Sequence, residues 1–237
     1  MYSSITFYKY FNFQNFQELR EPLKELMLSN NVKGKIIISG EGVNGAICSQ
    51  EKNVLNFLKQ LGELIPDLKE VSFRNTYSEI PCFKRTLVKI RDEIVPLGVK
   101  GVTPFSDGGG KALNPSTLKE WYDNNEDFII LDARNDYEFE SGRFKNSLEP
   151  NISKFRDFKK RVEELKDLKD KKIVTYCTGG IRCEKASAYM KSQGFKDVYK
   201  LDGGIIEFLK LKDSDKYWEG NLFVFDNRCE ISFNHVK

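Results

Sequence analysis

Residues 173–183 read Ile173-Val174-Thr175-Tyr176-Cys177-Thr178-Gly179-Gly180-Ile181-Arg182-Cys183. A β-branched and aromatic run delivers a cysteine into a loop with two glycines, and helix-forming sequence follows over about 183–193. That order predicts a strand over 172–176, a short loop and a helix. In a parallel sheet, the loop past a strand's carboxyl end is where ligands bind. Glycines at 179 and 180 let successive N–H groups turn inward as an anion nest, and the following helix adds its positive end. Such surroundings lower a cysteine's pKa and make it a reactive thiolate, to which Arg182 adds fixed positive charge. Thr178, Gly179, Gly180 and Ile181 are the expected cradle, with Cys177 and Arg182 as the catalytic pair.

Ring length separates the chemistries. Cys177 to Arg182 is C-x4-R, one residue shorter than the C-x5-R loop with which cysteine phosphatases surround a phosphate. The shorter ring suits an anion or a persulfide carried on the cysteine itself. Tyr176 also stands where those enzymes place a histidine.

Working outward, residues 128–132 (Phe-Ile-Ile-Leu-Asp) read as a buried strand and 198–201 as another. Helices are expected over 116–122, capped by Ser116, and over 155–168. Strands alternating with helices imply a mainly parallel sheet covered on both faces. Upstream, residues 5–10 alternate as a strand, and Phe16, Leu19, Leu23, Leu26 and Met27 recur at helical spacing behind Asn15 as N-cap. A β-branched run over 35–39, a turn-rich break at 40–45 and residues 46–48 come next. An amphipathic helix on Val54, Leu55, Leu58 and Leu61 precedes strands over 71–75 and 86–90. The order β-α-β(β)-α-β fits a ferredoxin-like α/β sandwich. Between the halves, residues 95–115 hold Pro96, Pro104, Pro115 and Gly108-Gly109-Gly110, the composition of a connection. No helix with a suitable Lys-Ser/Thr follows that triple glycine, so it is no phosphate loop.

The 237 residues are 40% hydrophobic and 31% charged, with a net charge of +3, which excludes a disordered chain and a strongly basic nucleic-acid wrapper. No secretory leader and no membrane-length apolar run is seen, so a cytoplasmic protein with no membrane partner is expected. Five cysteines form an odd set, which argues against structural disulfides. The one histidine, His235, removes Cys/His zinc clusters and histidine acid–base catalysis from any central site; no metal is expected. The stretch 82–100 carries Lys84, Arg85, Lys89, Arg91 and Lys100 around Phe83, against Asp92 and Glu93: a patch suited to phosphates and to base stacking, or a solvated basic face.

Asp132-Ala133-Arg134-Asn135-Asp136-Tyr137-Glu138-Phe139, with Gly142-Arg143-Phe144, then 176–182, then Leu201-Asp202-Gly203-Gly204-Ile205, resembles a rhodanese domain over about 123–215. In such domains the cysteine carries a persulfide. Gly142-Arg143-Phe144 departs from the more common Gly-His-Ile, a position that concerns loop packing. Residues 38–45, 89–95 and 219–228 together resemble one bacterial family, the rhodanese-containing tRNA uridine hydroxylases. That resemblance implies installation of 5-hydroxyuridine at the wobble position, position 34, with molecular oxygen as co-substrate, tRNA as partner and no evident cofactor. It also implies an acylphosphatase-like first domain. Members commonly continue into a cysteine-rich extension, which this sequence, ending at Lys237, is expected to lack.

The expected organisation is a ferredoxin-like domain over 1–94, a linker and leading helix over 95–122, a rhodanese domain over 123–215 and a tail over 216–237. Supporting residues keep two readings each. Cys183 is a resolving thiol or packs in the first helical turn. Asp132 fixes loop amides or Arg182, and Arg134 adds positive potential, or the two form a structural ion pair. Cys48, Cys82 and Cys229 read as structural. The runner-up activity is sulfur transfer through a Cys177 persulfide, and a noncatalytic rhodanese-fold module is third.

Overall fold

The computed structural model describes residues 1–102, 104–105, 108–232 and 236; linker positions 103, 106 and 107, residues 233–235 (His235 among them) and residue 237 lie outside the described residues. The chain divides into two compact units, Met1–Val95 with Phe225–Cys229, and Pro96–Val224 with Glu230–Lys237.

The first unit runs β1 (Tyr2–Tyr10), α1 (Arg20–Ser29), β2 (Lys33–Ser39), β3 (Gly42–Gln50), α2 (Glu51–Leu64), β4 (Phe73–Ser78) and β5 (Thr86–Ile90). The sheet order is β4-β1-β3-β2-β5. Its first four strands are antiparallel, and β5 adds in parallel beside β2. This is the ferredoxin-like α/β sandwich with one extra edge strand. Strand alternation sends Ile5, Phe7, Ile36, Ile38, Val43 and Ile47 to one face, where they meet Leu23 and Met27 of α1 and Val54, Phe57 and Leu61 of α2. Burying each such side chain is worth ~1.5–3 kcal/mol.

Several local expectations shift. Asn15 sits at φ 53° and makes no side-chain cap bond; it precedes a 3-10 turn over Phe16–Leu19, and α1 begins only at Arg20. The glycine-rich break shrinks to residues 40–41, because Gly42 and Gly45 lie inside β3. Gly45 is needed there: a Cβ would stand 2.3 Å from the Phe7 ring. The 42–45 amides therefore belong to a sheet. Val71 closes a turn onto Leu68, which delays β4 to Phe73.

The second unit contains β6 (Lys111–Leu113), α3 (Pro115–Asp123), β7 (Ile129–Asp132), α4 (Asp136–Ser141), β8 (Gly142–Phe144), α5 (Phe158–Glu164), β9 (Lys172–Tyr176), α6 (Ile181–Ser192), β10 (Asp197–Leu201) and α7 (Gly204–Leu209). A short β11 (Trp218–Gly220) pairs antiparallel with β8. The main sheet, β6-β10-β9-β7, is parallel throughout. Asn114, not Ser116, caps α3, its side chain accepting from the Ser116 amide. The helix expected over 155–168 is α5 flanked by two 3-10 turns. Leu118, Ile130, Phe144, Val174, Ile205 and Phe208 share the core. Among the described residues, no helix is long and apolar enough to cross a membrane.

Candidate active site

Strand β9 lies between β10 and β7, so its carboxyl end opens in the middle of the parallel sheet. Cys177 is the first residue beyond it, and α6 begins four residues later. Gly180 adopts φ 98°, which turns its N–H back to donate to Cys177 Sγ at 3.2 Å. The amides of Arg182 and Cys183 and the Cys183 thiol also reach that sulfur. The loop is held from below by α7, whose Ile205 and Ile206 amides donate to the carbonyls of Cys177 (3.0 Å) and Thr178 (3.2 Å). Gly204, at φ 65°, allows this approach: a Cβ would lie 2.3 Å from the Cys177 carbonyl oxygen. Asp202-Gly203-Gly204 thus leads into the helix that grips the loop.

Burial pushes the Cys177 thiol up, but more acts against it. The Cys183 thiol donates to it, the Arg182 charge attracts its anion and the two helix amides add to these, leaving a pKa of about 6. Cys183 moves the opposite way, raised by burial and by the neighbouring thiolate. At neutral pH the pair is therefore one thiolate and one thiol. Thr178 Oγ1 is buried with no hydrogen-bond partner among the described residues.

The guanidinium charges are placed differently from the sequence expectation. Arg182 is buried and forks onto Glu138, with Nη1 to Oε2 at 2.6 Å and Nη2 to Oε1 at 2.7 Å. Its charge is balanced, and its partner is Glu138, not Asp132. Burial pushes the Glu138 carboxyl up, yet Arg182, Arg134 and the Asn135 amide hold it below the usual range. Asp132 and Arg134 are both fully buried and pair with each other, Nη2 to Oδ2 at 2.6 Å, which is the structural ion-pair reading. Arg134 also donates to the Gly142 carbonyl at 2.6 Å and lies over the Tyr176 ring. It adds no open positive potential; it ties β7 to β8 beneath the loop. Glu138 escaped sequence reasoning because α4 did. Asn135 followed three residues later by Glu138 is a capping-box spacing that could have revealed both.

Lys84, Arg85, Lys89 and Arg91 all lie in the first unit, the first two exposed before β5 and Lys89 within it. Lys100 belongs to the second unit. Lys35, unremarked in the sequence, lies beside Lys89 and Arg91 in the first. The β2–β5 ladder aligns Ile37 with Lys89, and Lys35 has its pKa lowered by burial and then by Lys89 and Arg91. Cys48 and Cys82 are buried together in this unit, the Cys82 amide donating to Cys48 Sγ at 3.4 Å. Among the described residues, no three His, Cys, Asp or Glu side chains converge as metal ligands.

Residues 2–94 match the family model described as a UPF0176 acylphosphatase-like domain, and residues 114–211 match the rhodanese-like domain. A tRNA uridine(34) hydroxylase from Legionella pneumophila (strain Paris) is 43% identical over 230 residues, covering 95% of this chain and 89% of that protein. Among solved structures, the rhodanese-like domain of an Anabaena protein aligns at 22% identity and TM-score 0.37, over 46% of this chain and 78% of that one. A rhodanese-like domain protein from Staphylococcus aureus aligns at 21% and 0.36, over 41% and 90%.

Proposed function

The chain belongs to the tRNA uridine(34) hydroxylase family, and from that premise we propose that it hydroxylates the wobble uridine of tRNA at carbon 5, taking the oxygen atom from dioxygen. The observation that carries the chemistry is the Cys177 thiolate, held at a pKa of about 6 in a ring of backbone amides. Carbon 6 of a uracil ring is an electrophile conjugated to the C4 carbonyl. Addition of the thiolate there moves electron density to carbon 5 and O4, which makes carbon 5 reactive toward oxygen. The amides and the positive end of α6 offset the negative charge that moves between sulfur and ring. The Thr178 hydroxyl is a ready partner for a polar edge of the base. Lys84, Arg85, Lys89 and Arg91, joined by Lys35, serve the phosphate backbone, and this substrate puts the work in the cytoplasm.

The test is mass spectrometry of tRNA nucleosides from a bacterial strain deleted for its own family member and complemented with this chain or with Cys177→Ser. Return of 5-hydroxyuridine-derived nucleosides only with the intact cysteine supports the reading. Their absence with both chains sinks it.

The C-x4-R ring and its low-pKa thiol equally favour a second reading, transfer of sulfane sulfur through a Cys177 persulfide. Thiosulfate-to-cyanide transfer at enzyme-like rates, without nucleoside change, would put that reading first.

A further inference from the structure

Hydroxylation of a C–H bond by dioxygen places one oxygen atom in the product and reduces the other to water, a step that consumes two electrons and two protons from a co-reductant. Two thiols closing to a disulfide release that number. The second unit brings two sulfurs together at the reacting position. Cys183 stands in the first turn of α6, the helix end that Cys177 Sγ faces through the bond it accepts from the Gly180 amide at 3.2 Å, and the Cys183 thiol lowers the Cys177 pKa. Both residues are buried, at 1% and 0% exposure. The other cysteines, Cys48, Cys82 and Cys229, belong to the first unit.

We propose that Cys177 and Cys183 are the two-electron reductant of the hydroxylation and leave each turnover joined as a disulfide, which an external thiol must reopen. The proposal rests on the hydroxylase reading. Cys177 sulfur bonds to carbon 6, and the carbon 5 enolate passes an electron to dioxygen. The radical pair then combines and takes a proton, giving a carbon 5 hydroperoxide. The Cys183 sulfur attacks the outer oxygen; the O–O bond breaks, carbon 5 keeps the inner oxygen as a hydroxyl, and Cys183 becomes a sulfenic acid. Loss of the carbon 5 proton expels Cys177 as thiolate and releases 5-hydroxyuridine. Cys177 then attacks the Cys183 sulfur, the S–S bond forms and hydroxide leaves as water with a proton. In sum, uridine, dioxygen and two thiols become 5-hydroxyuridine, one disulfide and one water.

The experiment uses the full chain, reduced, freed of reductant under nitrogen, then mixed with unmodified tRNA transcript and dioxygen. Product nucleoside and cysteine state are read together by mass spectrometry after alkylation. The expected result is one 5-hydroxyuridine per chain, matched by an equal yield of Cys177–Cys183 disulfide, with turnover resuming on addition of dithiothreitol. Cys183→Ser and Cys183→Ala should give no product on their own and regain some with a small thiol in place of the missing one, a rescue that a packing role would not give. Product formed while Cys183 stays a free thiol, or either variant turning over like the parent, overturns the proposal and leaves the hydroxylase reading standing. If the intact chain makes no 5-hydroxyuridine even with excess dithiothreitol, that reading falls and the proposal with it.

Discussion

Glu138→Gln isolates the charge that the site is built around. The side chain is fully buried and accepts two bonds from Arg182, at 2.6 and 2.7 Å. Glutamine keeps the shape and, as the third residue of a capping box, retains the start of α4. It removes the negative charge and turns one acceptor into a donor facing a guanidinium donor. Removing one partner of a buried ion pair costs about 3–5 kcal/mol, and at zero exposure no solvent screening softens that. With ~2–4 °C per kcal/mol for a chain of this size, the second unit's melting midpoint should drop by about 6–20 °C. Glu140→Gln on the same helix, exposed, should stay within ~0.5 kcal/mol.

The same substitution has a second, opposite-looking consequence. The buried set holds Arg134 and Arg182 against Asp132, Glu138 and the Cys177 thiolate. Without Glu138, the Arg182 charge acts on the thiolate uncompensated, so the Cys177 pKa should fall further below about 6. Calorimetry reads the first effect, and the pH dependence of iodoacetamide labelling at Cys177 reads the second. A variant that melts within 2 °C of the parent, or labels with a raised midpoint, would refute the assignment of Arg182 to Glu138 as its charge partner.

In the parent, Cys177 labelling should be present above its midpoint and lost as pH falls through about 6. Because the folded pKa lies below the unfolded one, the thiolate's contribution to stability should be full above about pH 9 and gone below about 6, measurable as urea midpoints across that window. Gly204→Ala should cost more than ~1–3 kcal/mol and displace the loop, since its Cβ meets the Cys177 carbonyl at 2.3 Å in a left-handed backbone; unchanged stability and labelling would contradict that close approach. Lys35→Ala, Lys89→Ala and Arg91→Ala should each weaken tRNA retention on filters and reduce the salt slope by ~0.7–0.9 for each phosphate no longer neutralised, whereas an unchanged slope removes that residue from the interface.

What the sequence made legible follows from how local each signal is. The reacting loop was readable because strand, cysteine, glycines and arginine are contiguous over 173–183. The α/β order was readable because periodicity survives within single elements. Signals that span elements were not. Gly42 and Gly45 looked like a turn because glycine is a turn residue, yet Gly45 serves a ring on the neighbouring strand, which sequence cannot display. The β2–β5 pairing that brings Lys35 to Lys89 joins residues 54 apart. Ser116 and Asn114 are both good caps, and Pro115, suited to the first helical position, decides for Asn114.

The arginines carry the same lesson into mechanism. A sequence reading gives every arginine near a reactive cysteine a free charge, because partners near and far along the chain are equally invisible. In the fold, Arg182 is spent on Glu138 and Arg134 on Asp132. Neither guanidinium is an open hand waiting for a substrate anion. What faces the sulfur directly is a row of N–H groups from Gly180, Arg182 and Cys183, and those groups are rigid because α6 and α7 fix the loop on both sides. Dipoles fixed in place need no reorganisation when charge moves from sulfur to ring and back, whereas a mobile arginine would follow the charge and trap one state. The buried pairs therefore act on the chemistry at one remove. They hold the loop in shape and set the potential in which Cys177 and Cys183 divide a single proton.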